Sequence, residues 1–214
     1  MPRAVTHHEP KQQRSRDTLE RLLAATLKML EEEGLDGATV PKIAKAAKVA
    51  PASVYRRFVD KEALLRATFL HILRQSNDMN RDSIAKAVQC ETLEETVATV
   101  ISALFEQYRR HPRFLRALVH FMDNDKDEVF GKEARLHIAE NFNLIVDALL
   151  PFCAEIRHPF PRRALQFALL SAGSAMEAYA LDSTSLWHTV LPLSGKDLKA
   201  ELTRGLMAYL QQAG

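Results

Sequence analysis

The 214-residue sequence has little glycine, two cysteines and no pattern typical of β-strands. No run of Val, Ile or Thr alternates with polar residues over a strand's length, so we expect a helical protein. Cys90 and Cys153 are too few for a disulfide framework and are typical of a reducing compartment. No uncharged apolar run reaches the ~18 residues of a membrane span, and the first 16 residues are polar rather than a leader. We therefore predict a cytoplasmic protein without a membrane partner.

Positive charge is concentrated in the first third of the sequence. The net charge is only +2, yet residues 1–75 carry 14 Lys and Arg against 9 Asp and Glu, which gives +5 there and −3 in the remainder. A basic end on a mildly acidic body is typical of proteins that meet a polyanion. Because chance unevenness would look the same, charge alone does not identify DNA as the partner.

Capping residues and apolar periodicity predict an all-α fold of about nine helices. Asp17 is the predicted cap of the first helix, which stops at Gly34. Thr39 and Asp60 are predicted caps of the second and fourth helices, and Pro51 begins a third that ends near Phe58. Longer helices follow, separated by proline-marked breaks and predicted at 92–110, 112–123, 128–150, 162–181 and 196–212. This divides the chain into a basic flexible arm (1–16), a head (17–75) and a helical domain (76–214).

Two short helices joined by three residues lie between Thr39 and Phe58. Braced by the first helix, this pair has the size of a helix-turn-helix, which places one helix in a major groove ~12 Å wide. Arg56 and Arg57 are adjacent and point about 100° apart, so one can face a groove while the other meets backbone or solvent. These features predict a homeodomain-like, three-helix DNA-binding head.

The same segment resembles the tetracycline-repressor (TetR) family of bacterial transcriptional regulators. The resemblance covers Thr18 to about Leu73, and beyond it only length and helix count are similar. The family signature stands here as Gly37, Thr39-Val40, Ile43-Ala44, Ala47-Lys48-Val49, Val54-Tyr55, Phe58 and Lys61-Glu62-Ala63-Leu64. The resemblance implies that Thr39, Tyr55 and Lys61 position the DNA backbone, and that side chains early in the third helix read bases. Mapped here, the readers are Ala52, Ser53 and, as an open alternative, Arg57, with Arg56 on a phosphate or a flanking base. The candidate DNA-binding residues are Thr39, Lys48, Ala52, Ser53, Tyr55, Arg56, Arg57 and Lys61.

Two positions depart from the family pattern. Lys48 stands at the turn where the family usually has glycine, so we expect a positive φ at a strain of about 1 kcal/mol. Its charge offsets part of that strain if it meets a phosphate; the alternative is a solvated lysine. Ala50 replaces the usual Ser or Thr cap of the reading helix, and Pro51 preorganises the helix start.

The polar arm before the head has two interpretations. Its basic residues, Arg3, Lys11, Arg14 and Arg16, either reach a groove or phosphates, as arms of related domains do, or belong to a disordered leader.

The C-terminal domain is expected to hold a dimer interface and an effector pocket. One reading helix touches few bases, so such heads work as two-fold dimers. The last two helices offer an apolar stripe, Leu198, Leu202, Leu206, Tyr209 and Leu210, and the small-residue segment 168–181; part of both must be protomer core. Large apolar residues with a few polar groups form the candidate ligand set: Phe105, Tyr108, Phe121, His137, Asn141, Phe142, Met176 and Tyr179.

These features bear on three possible functions. The sequence predicts a ligand-responsive repressor that binds a palindromic operator as a homodimer and is released by a small, moderately apolar effector. A helical protein-interaction adaptor without DNA-binding activity is the alternative. An enzyme is disfavoured, since the sequence has no His-Glu-x-x-His, nucleophile elbow or Gly-rich phosphate loop. No metal site and no cofactor are expected.

Overall fold

The computed structural model describes the backbone of residues 9–87 and 90–212, and the side chains of 12–81, 84 and 90–212 within them. This part of the chain is helical, and its contacts divide it into two compact units, Met1–His71 and Ile72–Gly214. The predicted all-α fold is confirmed. Among the described residues no helix combines the length and apolarity needed to cross a bilayer.

The first unit is built from α1 (Glu9–Gly37), α2 (Val40–Ala46), α3 (Pro51–Tyr55) and the start of α4 (Lys61–Ala87). Gly34 bends α1 with φ 73°, where the sequence predicted a left-handed stop. The predicted apolar stripe of α1 packs inward, with Leu22, Leu23 and Leu30 buried. From the other elements, the buried residues are Val40, Ile43, Ala44, Val54, Leu64, Leu65 and Phe69.

The predicted start of α1 at Asp17 is wrong. The helix begins at Glu9, so the predicted arm is helical over residues 9–16. Local side-chain bonds accompany these turns: Gln13 Nε2 donates to Asp17 Oδ1, and Thr18 Oγ1 donates to the carbonyl of Arg14. The arm's Arg3 lies outside the described residues.

The second unit contains the rest of α4, then α5 (Leu93–Arg110), α6 (Pro112–Asn124), α7 (Glu128–Leu149), α8 (Pro161–Leu181) and α10 (Gly195–Gln211). Each of these five helices ends within two residues of its prediction. Two further pieces were not predicted: a 3-10 helix over Leu150–Glu155 and the four-residue α9 over Leu186–Thr189.

The core of the second unit lies between α5, α7, α8 and α10. Its largest fully buried side chains include Phe105, Leu165 and Leu169. The α10 stripe that was predicted to face a second copy points mostly into this core, because Leu198, Leu206 and Leu210 are buried within the protomer. Leu202 and Tyr209 are partly buried against the same core.

Candidate nucleic-acid interface

The turn between α2 and α3 is held by backbone hydrogen bonds across a left-handed residue. Lys48 has φ 57°, the one positive φ of a non-glycine residue in the described chain, as its place in the signature predicted. Its amide donates to the carbonyl of Lys45, and the amide of Val49 donates to the carbonyl of Ala44. The lysine is exposed, so its ammonium is directed to solvent at the surface of the turn.

Helix α3 begins at Pro51 after Ala50, which makes no side-chain capping bond. Its anchor is Val54, whose side chain is 1% exposed. The helix is short, but the amides of Arg56 and Phe58 continue the hydrogen bonding to the carbonyls of Ala52 and Val54. Because Val54 fixes the inner face, the opposite face of α3 is available to a partner.

That outer face carries most of the predicted DNA-binding residues of α3. Ala52, Arg56 and Arg57 are exposed, and Tyr55 is 56% exposed with its phenol at the surface. Ser53 is only half-buried, and its hydroxyl oxygen accepts a 2.9 Å hydrogen bond from Nη2 of Arg56. An exposed tyrosine at the end of α3 and two exposed arginines directly after it are suited to phosphate and base-edge contacts.

The two arginines have different partners. Arg56, the residue directly after α3, folds back along that helix to the hydroxyl of Ser53. Arg57 reaches across to α1, where its Nη2 donates to the carbonyl oxygen of Ser15 at 3.0 Å and to the hydroxyl of Ser15 at 2.9 Å. Sequence reasoning missed Ser15 entirely, because nothing in a local pattern relates residues 42 positions apart.

The flanking candidates, Thr39 and Lys61, are placed differently from each other. Thr39 occupies the position before α2 but makes no capping bond, so its hydroxyl is not committed to the helix. Lys61 Nζ donates to the carbonyl of Leu35 at 2.9 Å, a part-buried bond that joins α4 to the end of α1. The amine of Lys61 is therefore a structural link within the head as well as a candidate phosphate contact.

A row of three lysines runs along α2 and into the turn that follows it. Of these three, the predicted DNA-binding set included only Lys48. Lys42, Lys45 and Lys48 recur every third residue and all are exposed. Lys42 is paired with Glu33, whereas no partner is recorded for Lys45 or Lys48 among the described residues. The i, i+3 spacing of lysines was the sequence signal that could have found Lys45.

The predicted ligand-binding residues separate into three places. Phe105, Tyr108, Phe142, Met176 and Tyr179 belong to the core of the second unit or pack on it. Phe121 packs edge-on against Phe130, with ring centroids 5.5 Å apart. His137 and Asn141 lie in a polar network between α7 and α4, so the predicted set is not brought together as one site.

The polar network is centred on Asn77, a residue of α4 that is 3% exposed. Its Nδ2 donates to the carbonyl of His137 and to Oε2 of Glu140, and its Oδ1 accepts from Nδ2 of Asn141. Arg74 pairs with Glu133 and donates to Nε2 of His137. Both predicted polar ligand contacts are thus satisfied from within the chain.

The most perturbed titratable group of the core is Tyr108. Burial, together with the negative charge of Glu177, raises the pKa of Tyr108 to about 12. The pKa of Glu177 is itself raised by burial and by Asp123. Tyr108 is therefore a neutral hydroxyl at neutral pH. The hydroxyl lies beside Gly173, where a Cβ would stand 3.9 Å from it.

Two open surface grooves are found in the second unit. One runs between α5 and α10, and the other lies among His158, Phe160, Arg163, Phe167 and Tyr209. Neither groove includes a residue of the predicted ligand set.

The first unit is a three-helix, helix-turn-helix head with a basic outer face, and the second unit is a helical domain. This is the architecture of a DNA-binding regulator class. Residues 22–68 match the model of the family described as bacterial regulatory proteins, tetR family. The resemblance inferred from the sequence is confirmed, and this chain carries the N-terminal domain of the tetR family.

Two similar proteins are helix-turn-helix transcriptional regulators. An uncharacterized HTH-type transcriptional regulator of Mycobacterium tuberculosis is 34% identical over 113 residues, which cover 49% of this chain and 55% of that protein. The match thus spans about half the length of this relative. The HTH-type transcriptional regulator BetI of Cronobacter sakazakii is 25% identical over 186 residues, covering 86% of this chain and 84% of the relative.

Solved structures of the family share the fold at low sequence identity. A transcriptional regulator FadR from Bacillus subtilis, in complex with stearoyl-CoA, superposes with a TM-score of 0.62 at 20% identity, covering 91% of this chain and 98% of that one. A TetR transcriptional regulator from Rhodococcus sp. RHA1 gives 0.60 at 18% identity, covering 94% and 100%. Identities this low establish the fold and not a ligand.

Proposed function

We propose that this protein is a ligand-responsive transcriptional regulator, most simply a repressor, that binds a palindromic operator as a homodimer. The observation that carries the proposal is the exposed outer face of α3, where Ala52, Tyr55 and Arg56 are presented by a helix anchored through Val54. The exposed lysines of α2 supply positive charge beside that face. Such an arrangement suits a helix docked in the major groove with phosphate contacts on its flanks.

DNA binding is tested by fluorescence anisotropy with the DNA that flanks the protein's own gene. We expect specific binding that weakens steeply with salt, because phosphate contacts release counterions. Tyr55→Phe removes only the exposed hydroxyl and should weaken binding, whereas Val59→Ala, at an 85% exposed neighbouring residue, should leave it unchanged. Binding that is absent, or equal for unrelated DNA at every salt concentration, would favour the adaptor function instead.

The proposed homodimer uses an exposed apolar surface on α8. Phe160 at its start and Phe167 and Leu170 within it are 62%, 58% and 55% exposed, an unusual grouping for a solvent-facing helix. On α10, Gly205 is exposed and a Cβ there would meet nothing within 4 Å, which leaves room for a close helix approach. These two helices from each protomer would form a four-helix interface.

Measuring the oligomeric state of surface variants tests whether these exposed residues form the dimer interface. Phe167→Glu should convert the dimer to a monomer in sedimentation equilibrium without loss of helical signal. Leu186→Glu, at a 72% exposed residue of α9 outside the proposed interface, is the matched control and should remain dimeric. A wild-type protein that is monomeric at micromolar concentration would remove the dimer from the proposal.

The effector is proposed to bind around Tyr108, Phe142 and Met176, where α5, α7 and α8 meet near Gly173. The apolar side chains that pack there and one neutral hydroxyl are suited to a moderately apolar molecule. Since effector and DNA would favour different conformations, binding of one lowers affinity for the other by the same factor. A thermal-shift panel of apolar acids, amines and long-chain acyl thioesters, including stearoyl-CoA, tests this, followed by release of bound DNA. Met176→Lys should abolish both responses, and an unaffected response would place the effector elsewhere.

A further inference from the structure

We infer that Arg56 is the arginine that reads a base edge, and that Arg57 is an anchor between α3 and α1. The inference rests on the proposed DNA-binding function and assigns roles within it. The sequence offered Arg57 as a base reader and placed Arg56 on a phosphate or a flanking base, without deciding which arginine contacts guanine. The structure distinguishes them by direction and by partner.

Direction follows from the anchor of α3. Val54 is 1% exposed and marks the inner face of the helix. At about 100° per residue, Ala52 and Arg56 each lie roughly 160° around the helix from Val54, on the outermost line of α3. The amide of Arg56 still donates to the carbonyl of Ala52, so helical geometry holds to this residue. The side chain of Arg56 therefore starts from the line that would enter a groove most deeply.

Arg56 also keeps enough donors for a base after its bond within α3. One nitrogen, Nη2, donates to the hydroxyl of Ser53 at 2.9 Å. A guanidinium carries five N–H donors, and a bidentate contact to O6 and N7 of guanine needs two. The bond to Ser53 holds the guanidinium close to α3, so fewer side-chain conformations are lost on binding. Ser53 is accordingly a positioning residue for Arg56.

Arg57 is committed to α1. Its Nη2 donates to both the carbonyl oxygen and the hydroxyl of Ser15, at 3.0 and 2.9 Å. A turn of that side chain toward a base would give up both bonds. The contact instead fixes the first turns of α1 beside the end of α3, and it brings the exposed Arg14 and Arg16 of α1 to the same part of the head. Loss of Arg57 should therefore weaken binding to all sequences alike.

Binding-site selection from a randomised duplex library tests the assignment. The wild-type protein is run first, and recovery of no motif at all refutes the proposed function itself rather than the division of roles. If a motif is recovered, Arg56→Ala should remove the base preference at one position of each half-site. It should also weaken binding to the selected site about 5- to 150-fold. Arg57→Ala should leave the motif intact while lowering affinity for every sequence.

Three further variants separate base reading from charge and test the contribution of Ser53. Arg56→Lys keeps the charge but lacks the planar fork, so it should flatten the same position while keeping the salt dependence of binding. Ser53→Ala should reduce the preference at that position, and Ser53→Thr, which retains the hydroxyl, should keep it. Thermal unfolding of each variant confirms that the head is folded.

Three results would overturn the inference. A motif flattened by Arg57→Ala but not by Arg56→Ala would reverse the roles. Flattening by both variants would make the arginines joint readers, and flattening by neither would assign base reading to other residues of α3.

Discussion

Asn141 on α7 donates a 3.0 Å hydrogen bond from Nδ2 to Oδ1 of Asn77 on α4. Asn77 is almost fully buried, and its side-chain Nδ2 donates hydrogen bonds to the carbonyl of His137 and to a carboxylate oxygen of Glu140. Directed polar bonds therefore contribute to the attachment of α4 within the second unit. Such a network is stable while complete, because a buried polar group without a partner is expensive.

Asn77→Ala is expected to lower the free energy of unfolding by about 1–3 kcal/mol, because it leaves Asn141 and Glu140 without their buried partner. Denaturation by urea measures the loss. Asn143→Ala is the matched control, since Asn143 lies on α7 two residues after Asn141 and its side-chain oxygen accepts an exposed hydrogen bond from Gln166 of α8. It should change the free energy of unfolding by less than about 0.5 kcal/mol. Equal effects of the two variants would contradict a structural role for Asn77.

Lys48 is expected to lower the stability of the head and to raise its affinity for DNA. Lys48→Gly removes a side chain from a residue with φ 57° and should stabilise the head by up to about 1 kcal/mol, reduced by glycine's greater freedom in the unfolded chain. If Lys48 contacts a phosphate, the same change should weaken binding to all DNA sequences and reduce the salt slope by about one per protomer. Lys48→Asn, which tolerates the left-handed conformation without the charge, should show the same DNA effect. An unchanged salt slope in both variants would make Lys48 a solvated lysine.

The local parts of the fold were predictable because their causes are local. Pro51 marks the start of α3, and Asp60 caps α4 by accepting a bond from the amide of Ala63, as predicted. The start of α1 was missed because residues 9–16 are polar and lack the apolar stripe that indicated the rest of the helix. Its turns are accompanied by short-range bonds, such as Thr18 to the carbonyl of Arg14, that periodicity does not reveal.

The long-range parts of the site were not predictable, because periodicity tells which face is buried but not what covers it. Leu198 and Leu206 were correctly predicted to form a stripe on α10, yet the stripe meets the protomer core, while Phe167 and Leu170 on α8 remain exposed. His137 and Asn141 likewise share a face of α7, but the partner at Asn77 lies about sixty residues earlier in the chain.

Gly173 is expected to be intolerant of any side chain. A Cβ there would stand 2.9 Å from Cζ of Phe142, inside van der Waals contact. Gly173→Ala should therefore destabilise the protein by about 1–3 kcal/mol, despite alanine's better helix propensity. The double variant with Phe142→Leu should recover part of the loss, which a thermodynamic cycle measures. Additive effects of the two substitutions would show that Phe142 is not the obstacle.

Glu177 is expected to make the protein less stable as pH rises. Burial and the nearby Asp123 raise its pKa in the folded state above the ordinary value of 4.5, so the folded protein binds this proton more tightly than the unfolded chain does. The stabilising contribution of the proton is complete below about pH 4 and is lost as pH rises through the raised pKa. Glu177→Gln, which stays neutral, should unfold at a higher temperature than the wild type at pH 7 and at a similar temperature at acid pH. Asp123→Asn should reduce the difference at pH 7, because it removes the neighbouring charge. A Glu177→Gln variant that is less stable than the wild type at pH 7 would mean that the carboxylate is favourably paired, contrary to its surroundings in this structure.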